Sequence, residues 1–83
     1  METNKKNSRP AHTVRHGMVR ATVWPQQGEK GAWFNVIVDR GYRDKEGAWQ
    51  KTNYLTREDL LPAARALEHA YDWIVTKQTE DKV

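Results

Sequence analysis

Between Trp33 and Tyr54 the chain reads WFNVIVDRGYRDKEGAWQKTNY, two alternating runs joined by the charged turn Asp44-Lys45-Glu46-Gly47. Side chains two apart on a strand share a face, so Phe34, Val36 and Val38 form one set and Trp33, Asn35, Ile37 and Asp39 the other. The first set is the candidate core, and the second stays partly wet. A four-residue connection ending in glycine suits a left-handed closing position, and β-favouring residues resume at Trp49. With Ala48, Thr52 and Tyr54 pointing inward, Trp49, Lys51 and Asn53 point outward, and Trp33, Trp49 and Lys51 share a face. The stretch predicts a β-hairpin whose outer surface interleaves basic and aromatic side chains.

Upstream, Val19, Ala21 and Val23 alternate with Arg20, Thr22 and Trp24, which predicts a half-buried strand with the second set facing out. His16-Gly17 marks a bulge or bend before it, and residues 13–16 can form a further strand. The segment Pro25-Gln26-Gln27-Gly28-Glu29-Lys30-Gly31 concentrates strand breakers and predicts a flexible loop. Residues 1–12 have no apolar periodicity and predict a mobile basic tail.

After Leu55 the period lengthens. Leu60, Ala64, Leu67, Tyr71 and Ile74 follow one another at spacings of 4, 3, 4 and 3, which predicts a helix over residues 57–77, its stripe widened by Leu61 and Ala70. Thr56 with Asp59 three residues on reads as an Asp version of the capping box. Pro62 lies beyond the first turn and removes a helical N–H, so either that turn is loose or Asp59 is the true cap. The expected class is α+β: a curved antiparallel sheet of three to four strands followed by one C-terminal amphipathic helix. The expected limits are a tail over 1–12, a domain over 13–77 and a frayed end over 78–83.

A chain of 83 residues makes one domain and buries only roughly 60% of the surface its unfolded form exposes. Tyr71, Trp73, Ile74 and Val75 exceed what one narrow helical face needs, which predicts a homodimer joined through Leu67, Tyr71 and Ile74; the alternative is extra cover for the chain's own sheet. The absence of cysteine removes disulfides and thiolate zinc sites. No apolar run approaches the ~18 residues of a membrane span, and the N-terminus lacks the apolar centre of a signal peptide. The expectation is a soluble intracellular protein, cytoplasmic or nucleoid-associated, with no membrane partner.

The net charge of +3 is unevenly spread: +4 over residues 1–20, +1 over 21–55 and −2 over 56–83. A basic front and an acidic back suit a polyanion better than the total suggests. Trp24, Trp33, Tyr42 and Trp49 can stack on unpaired bases, and Arg20, Arg40, Arg43, Lys45 and Lys51 can follow a phosphate backbone. Each tryptophan can also serve the core, Trp73 most of all, and Arg43 and Lys45 can instead pair with Asp44 and Glu46.

Enzymatic chemistry finds no support. His12 and His16 have the spacing of a helical zinc pair but sit in a tail and a strand start, without a third ligand. His69 is a helix-surface or interface residue, and Gly28 and Gly31 lack the following GK[ST] of a phosphate-binding loop. The sequence predicts no catalysis, no cofactor and no metal.

The order VRHGMVRATVW, then WFNVIVDRGYRDKEGAWQKTNYLTREDLL, then a final helix resembles the single-stranded-DNA-binding domain of the transcriptional coactivator positive cofactor four. The similarity covers about residues 13–75 and is closest over RGYRDKEGAWQK and the helix start after Tyr54-Leu55-Thr56. It implies a curved antiparallel sheet, a helix-mediated homodimer and grooves that hold unpaired strands. It also implies that Tyr42 stacks on bases and that Arg40 and Lys51 lie near basic contact positions. The chain departs from the pattern in a longer segment after Trp24 and a shorter third segment. The resulting expectation is a homodimer that binds single-stranded nucleic acid, DNA in preference to RNA, in transcription, replication or recombination. A second reading is a small protein-interaction module, such as a phage or plasmid inhibitor, whose aromatics dock a protein.

Overall fold

The computed structural model describes residues 9–82, with side chains through Glu80. Four strands, β1 (His12–His16), β2 (Val19–Gly28), β3 (Gly31–Arg43) and β4 (Trp49–Thr52), precede one helix, α1 (Arg57–Lys82). The strands form an open antiparallel sheet in sequence order, β1-β2-β3-β4. This is the expected α+β class, in its four-stranded form.

Register follows from the alternation in the sequence. Ala21 sits opposite Val38 and Val23 opposite Val36, so the apolar sets of β2 and β3 share the face beneath the helix. Val19, Ala21 and Val23 are fully buried there, and Val14, Phe34, Val36 and Val38 pack around them. The helix contributes small residues, Ala63, Ala66 and Ala70, which let it sit close to the sheet. Trp73 and Ile74 finish the cluster at its far end.

The connections are tighter than expected at one place. No loop separates Trp24 from the hairpin: β2 continues to Gly28, which pairs with Gly31 across a two-residue turn at Glu29-Lys30. Pro25 survives inside a strand because of where its nitrogen points. Even-numbered residues of β2 bond to β3, as the 3.0 Å bond from Gly41 N–H to the Met18 carbonyl shows, so odd-numbered residues face β1. The β1 ladder reaches only to the pair His12–Val23, and Pro25 therefore lies at a free edge, where its missing N–H deletes no ladder bond. His16-Gly17 is a reversal between two strands, with Gly17 at φ 62°.

The helix also differs from expectation. It runs to Lys82, beyond the expected Lys77, so residues 78–82 continue it. Thr56 is the cap: the Asp59 N–H donates to the Thr56 carbonyl at 2.9 Å, and an Asp59 carboxylate oxygen accepts the Thr56 N–H at 2.8 Å and the Thr56 hydroxyl at 2.9 Å. Pro62 is helical all the same; the carbonyl it leaves without a helical donor belongs to solvent-exposed Glu58. The expected stripe is rotated. Ala63, Ala66 and Ala70 face the sheet, while Leu60, Leu67 and Tyr71 face away, Tyr71 with 67% of its surface exposed. Alanine scores weakly as an apolar residue, and so the larger side chains dominated the sequence pattern. Tyr54, expected inward, is 84% exposed.

At the front end, Ala11 N–H bonds to the Val23 carbonyl at 2.8 Å and His12 belongs to β1, so the sheet reaches into the expected tail. Residues 1–8 of that tail lie outside the described residues. No described helix is long and apolar enough to cross a membrane.

Candidate nucleic-acid interface

Among the described residues, the helix covers one face of the sheet and the other is uncovered. Directly opposed residues share a face, so β2 presents Arg20, Thr22 and Trp24 there, and β3 presents Trp33, Asn35, Ile37, Asp39 and Arg43. Register adds Thr13 and Arg15 from β1, and Trp49 and Lys51 from β4. Trp49 is 57% exposed, Ile37 50% and Trp33 47%. Aromatic surface held on rigid strands without cover is what base stacking requires.

Among the strand residues of this face, Arg15, Arg20, Arg43 and Lys51 stand against the single acid Asp39, which gives a balance of 4 − 1 = +3. The helix side of the chain carries the opposite excess. The two faces therefore differ in sign, and the open one is the positive one.

Two shallow grooves cross this surface. One runs between Arg15, Met18, Arg20, Trp49 and Lys51; the other runs past Pro10, Thr22, Trp24, Ile37 and Lys51. Arg20 and Lys51 border both, and Arg20 is held at its post by a 3.3 Å contact from Nη2 to Asp39 Oδ1. Its Nε is buried with no hydrogen-bond partner among the described residues. Arg43 lies over the Trp49 ring, with its guanidinium carbon 5.1 Å from the ring centroid, and the six-membered part of the indole lies close to Gly41.

The structure divides the expected contact residues. Arg20, Trp24, Trp33, Arg43, Trp49 and Lys51 share the open face, Trp49 beside Arg43 and Lys51 at one end and Trp33 towards the β2–β3 turn at the other. Lys45 sits exposed in the β3–β4 turn, whose geometry Asp44 sets: its carboxylate accepts the Glu46 and Ala48 N–H groups, each at 2.9 Å, and Gln50 Nε2 at 3.0 Å. The Ala48 N–H foremost, then Gln50, hold the Asp44 carboxyl below its ordinary pKa. Arg40 and Tyr42 are on the other face, because their parity on β3 matches Val38. Arg40 Nε lies 2.9 Å from Asp59 Oδ2 and 3.2 Å from the Tyr54 carbonyl, so it ties the sheet to the helix start. The Thr56 N–H, followed by the Thr56 hydroxyl and Arg40, holds the Asp59 carboxyl below its ordinary value against the opposing effect of burial.

Arg15, Met18 and Ile37 belong to the open surface although sequence reasoning assigned them no contact. Arg15 was discoverable from its alternation with Val14 and His16, and Ile37 from its alternation with Val36 and Val38; Met18 emerges only once strand register is known. Of the expected interface residues, Leu67 and Tyr71 are exposed, whereas Ile74 packs on the chain's own core. The three histidines are engaged rather than clustered on a ligand: His12 stacks on Trp73 and His16 on His69. No known family, curated protein or solved structure matches the chain.

Proposed function

We propose that this chain binds single-stranded DNA through the uncovered face of its sheet, with little dependence on base sequence, and that it acts as a homodimer. The observation that carries this reading is half-exposed Trp49 standing among Arg15, Arg20, Arg43 and Lys51, with Trp33 exposed towards the other end of the same face. Every base offers a π-face to an aromatic side chain, and cations beside it can neutralise the connecting phosphates. The succession of four antiparallel strands and one C-terminal helix supports kinship with the domain of positive cofactor four, and with it a role in transcription, replication or recombination. The exposed helical residues Leu60, Leu67 and Tyr71 support the dimer.

Salt-titrated binding to unpaired and duplex oligonucleotides of equal length tests the reading. The expected result is tighter binding to the unpaired strand, with affinity falling as salt rises. Equal and weak binding to both would remove nucleic acid as the ligand and leave the aromatic surface to a protein partner.

A further inference from the structure

The edges of this sheet are unequally guarded. On β1 the outward backbone groups belong to Thr13 and Arg15 on a five-residue strand, and the free part of β2 begins at Pro25. Charge, brevity and proline are the usual means by which an edge is kept from pairing. The β3 strand has none of them. It pairs with β4 only from Arg40 to Arg43, so residues 31–39 lack a neighbouring strand on that side among the described residues. From Ala32 to Val38 the sequence AWFNVIV holds no charge and no proline.

Parity fixes which groups face outward. Gly41 N–H bonds toward β2, so even-numbered residues of β3 point their backbone away from β2. Asn53 Nδ2 agrees, since it reaches the Val38 carbonyl from the outer side at 2.8 Å. Ala32, Phe34 and Val36 remain, each offering one N–H and one C=O with no partner among the described residues. The helix bears on the same flank. His69 leans over His16 of β1, and a rotation of about 100° per residue carries Leu60, Leu67 and Tyr71 to the opposite side of α1, toward β3.

We propose that a second copy of this chain pairs antiparallel with this edge, β3 against β3, about a two-fold axis at Phe34. This deepens the dimeric part of the reading above. Such an axis sets Ala32 opposite the partner's Val36 and Phe34 opposite the partner's Phe34, so every free group of the three residues gains a bond. A second copy fits this edge because a run without charge meets no like charge across its own axis, and because that copy brings a matching apolar stripe of Leu60, Leu67 and Tyr71 to the same flank. The helical stripes of the two copies come to the same side of the joint sheet. On the other side the uncovered faces become continuous, and the partner's Asn35 lies beside Trp33, so each copy completes the other's surface.

Amide hydrogen exchange of the full chain, read alongside its mass by light scattering at tens of micromolar, tests this. The expected result is a dimer mass with the Ala32, Phe34 and Val36 amides protected as strongly as those of β2. In Ala32→Pro, which removes one outward N–H, the dimer dissociation constant should rise about tenfold or more while circular dichroism stays unchanged. A dimer whose three amides exchange freely overturns the edge pairing and leaves the dimer itself standing. A monomer with free amides overturns both, and a monomer with protected amides shows instead that the chain's own first residues close the edge. Oligonucleotide binding is measured separately and decides neither point.

Discussion

The imidazole of His12 lies flat on the indole of Trp73, ring centroids 4.8 Å apart and planes 3° from parallel. Phe34 meets the same indole edge-on, at 5.4 Å and 71°. Trp73 thus clasps β1 and β3 to the fifth turn of the helix, beyond the reach of the buried alanines. Trp73→Ala should cost about 3 kcal/mol, the low end for an aromatic truncation because the ring is only partly buried. Urea denaturation with an unchanged slope would measure it; a loss below about 1 kcal/mol would show the clasp to be idle.

The division of expected contacts between two faces makes a sharp mutational contrast. Trp33→Ala and Trp49→Ala should weaken binding to unpaired oligonucleotides by about 1–3 kcal/mol and leave the salt slope nearly unchanged. Arg43→Ala and Lys51→Ala should each lower that slope by about 0.7. Arg40→Ala should leave the slope alone and lower the melting temperature, since its partners are Asp59 and the Tyr54 carbonyl. A slope change in Arg40→Ala equal to that in Lys51→Ala would place the binding surface on the wrong side of the sheet.

Acid should act through the helix cap. The folded state holds the Asp59 carboxyl below its ordinary 3.8, so its contribution is complete above that value and is lost as pH falls through the lowered one. Asp59→Asn should therefore be less stable at neutral pH and should show a flatter stability profile below about pH 4. Thermal melts of both proteins from pH 2 to 7 would reveal it, and parallel profiles across that range would contradict it.

Truncation should have a threshold. Removing residues 1–8 deletes Lys5 and Lys6 against Glu2, and should make the salt dependence of binding shallower at a nearly constant melting temperature. Removing residues 1–12 also deletes the Ala11–Val23 bond and the His12 stack, and should lower that temperature clearly. Equal melting of the two truncated forms would show that β1 gains nothing from its first residue.

Much of this architecture is legible in the residues because alternation is a local signal. Phe34, Val36 and Val38 go beneath the helix and Trp33 and Ile37 stay outside, as period two dictates. The Thr56–Asp59 box is local too, and so is the Asp44–Gly47 turn. What the sequence hides depends on neighbours. Pro25 and two glutamines look like loop until the reach of β1 shows that no bond is lost there. Ala66 and Ala70 look like filler until Ala21 and Val23 are seen against them, and that misreading turned the helix by about a residue. Arg40 and Lys51 both look like phosphate contacts, although Arg40 shares its parity with Val38 and is drawn to Asp59 on the helix side.

Pro25 has a consequence for growth. A sheet with two receptive margins can add copies without limit and become a fibre, whereas one with a single receptive margin has a valence of one. If β3 takes a partner as proposed, a residue that cannot donate at the opposite margin works against a second addition there. On the proposed pairing, the ring of Pro25 and the short, charged β1 together would act as a chain terminator for a strongly β-forming segment, WFNVIV.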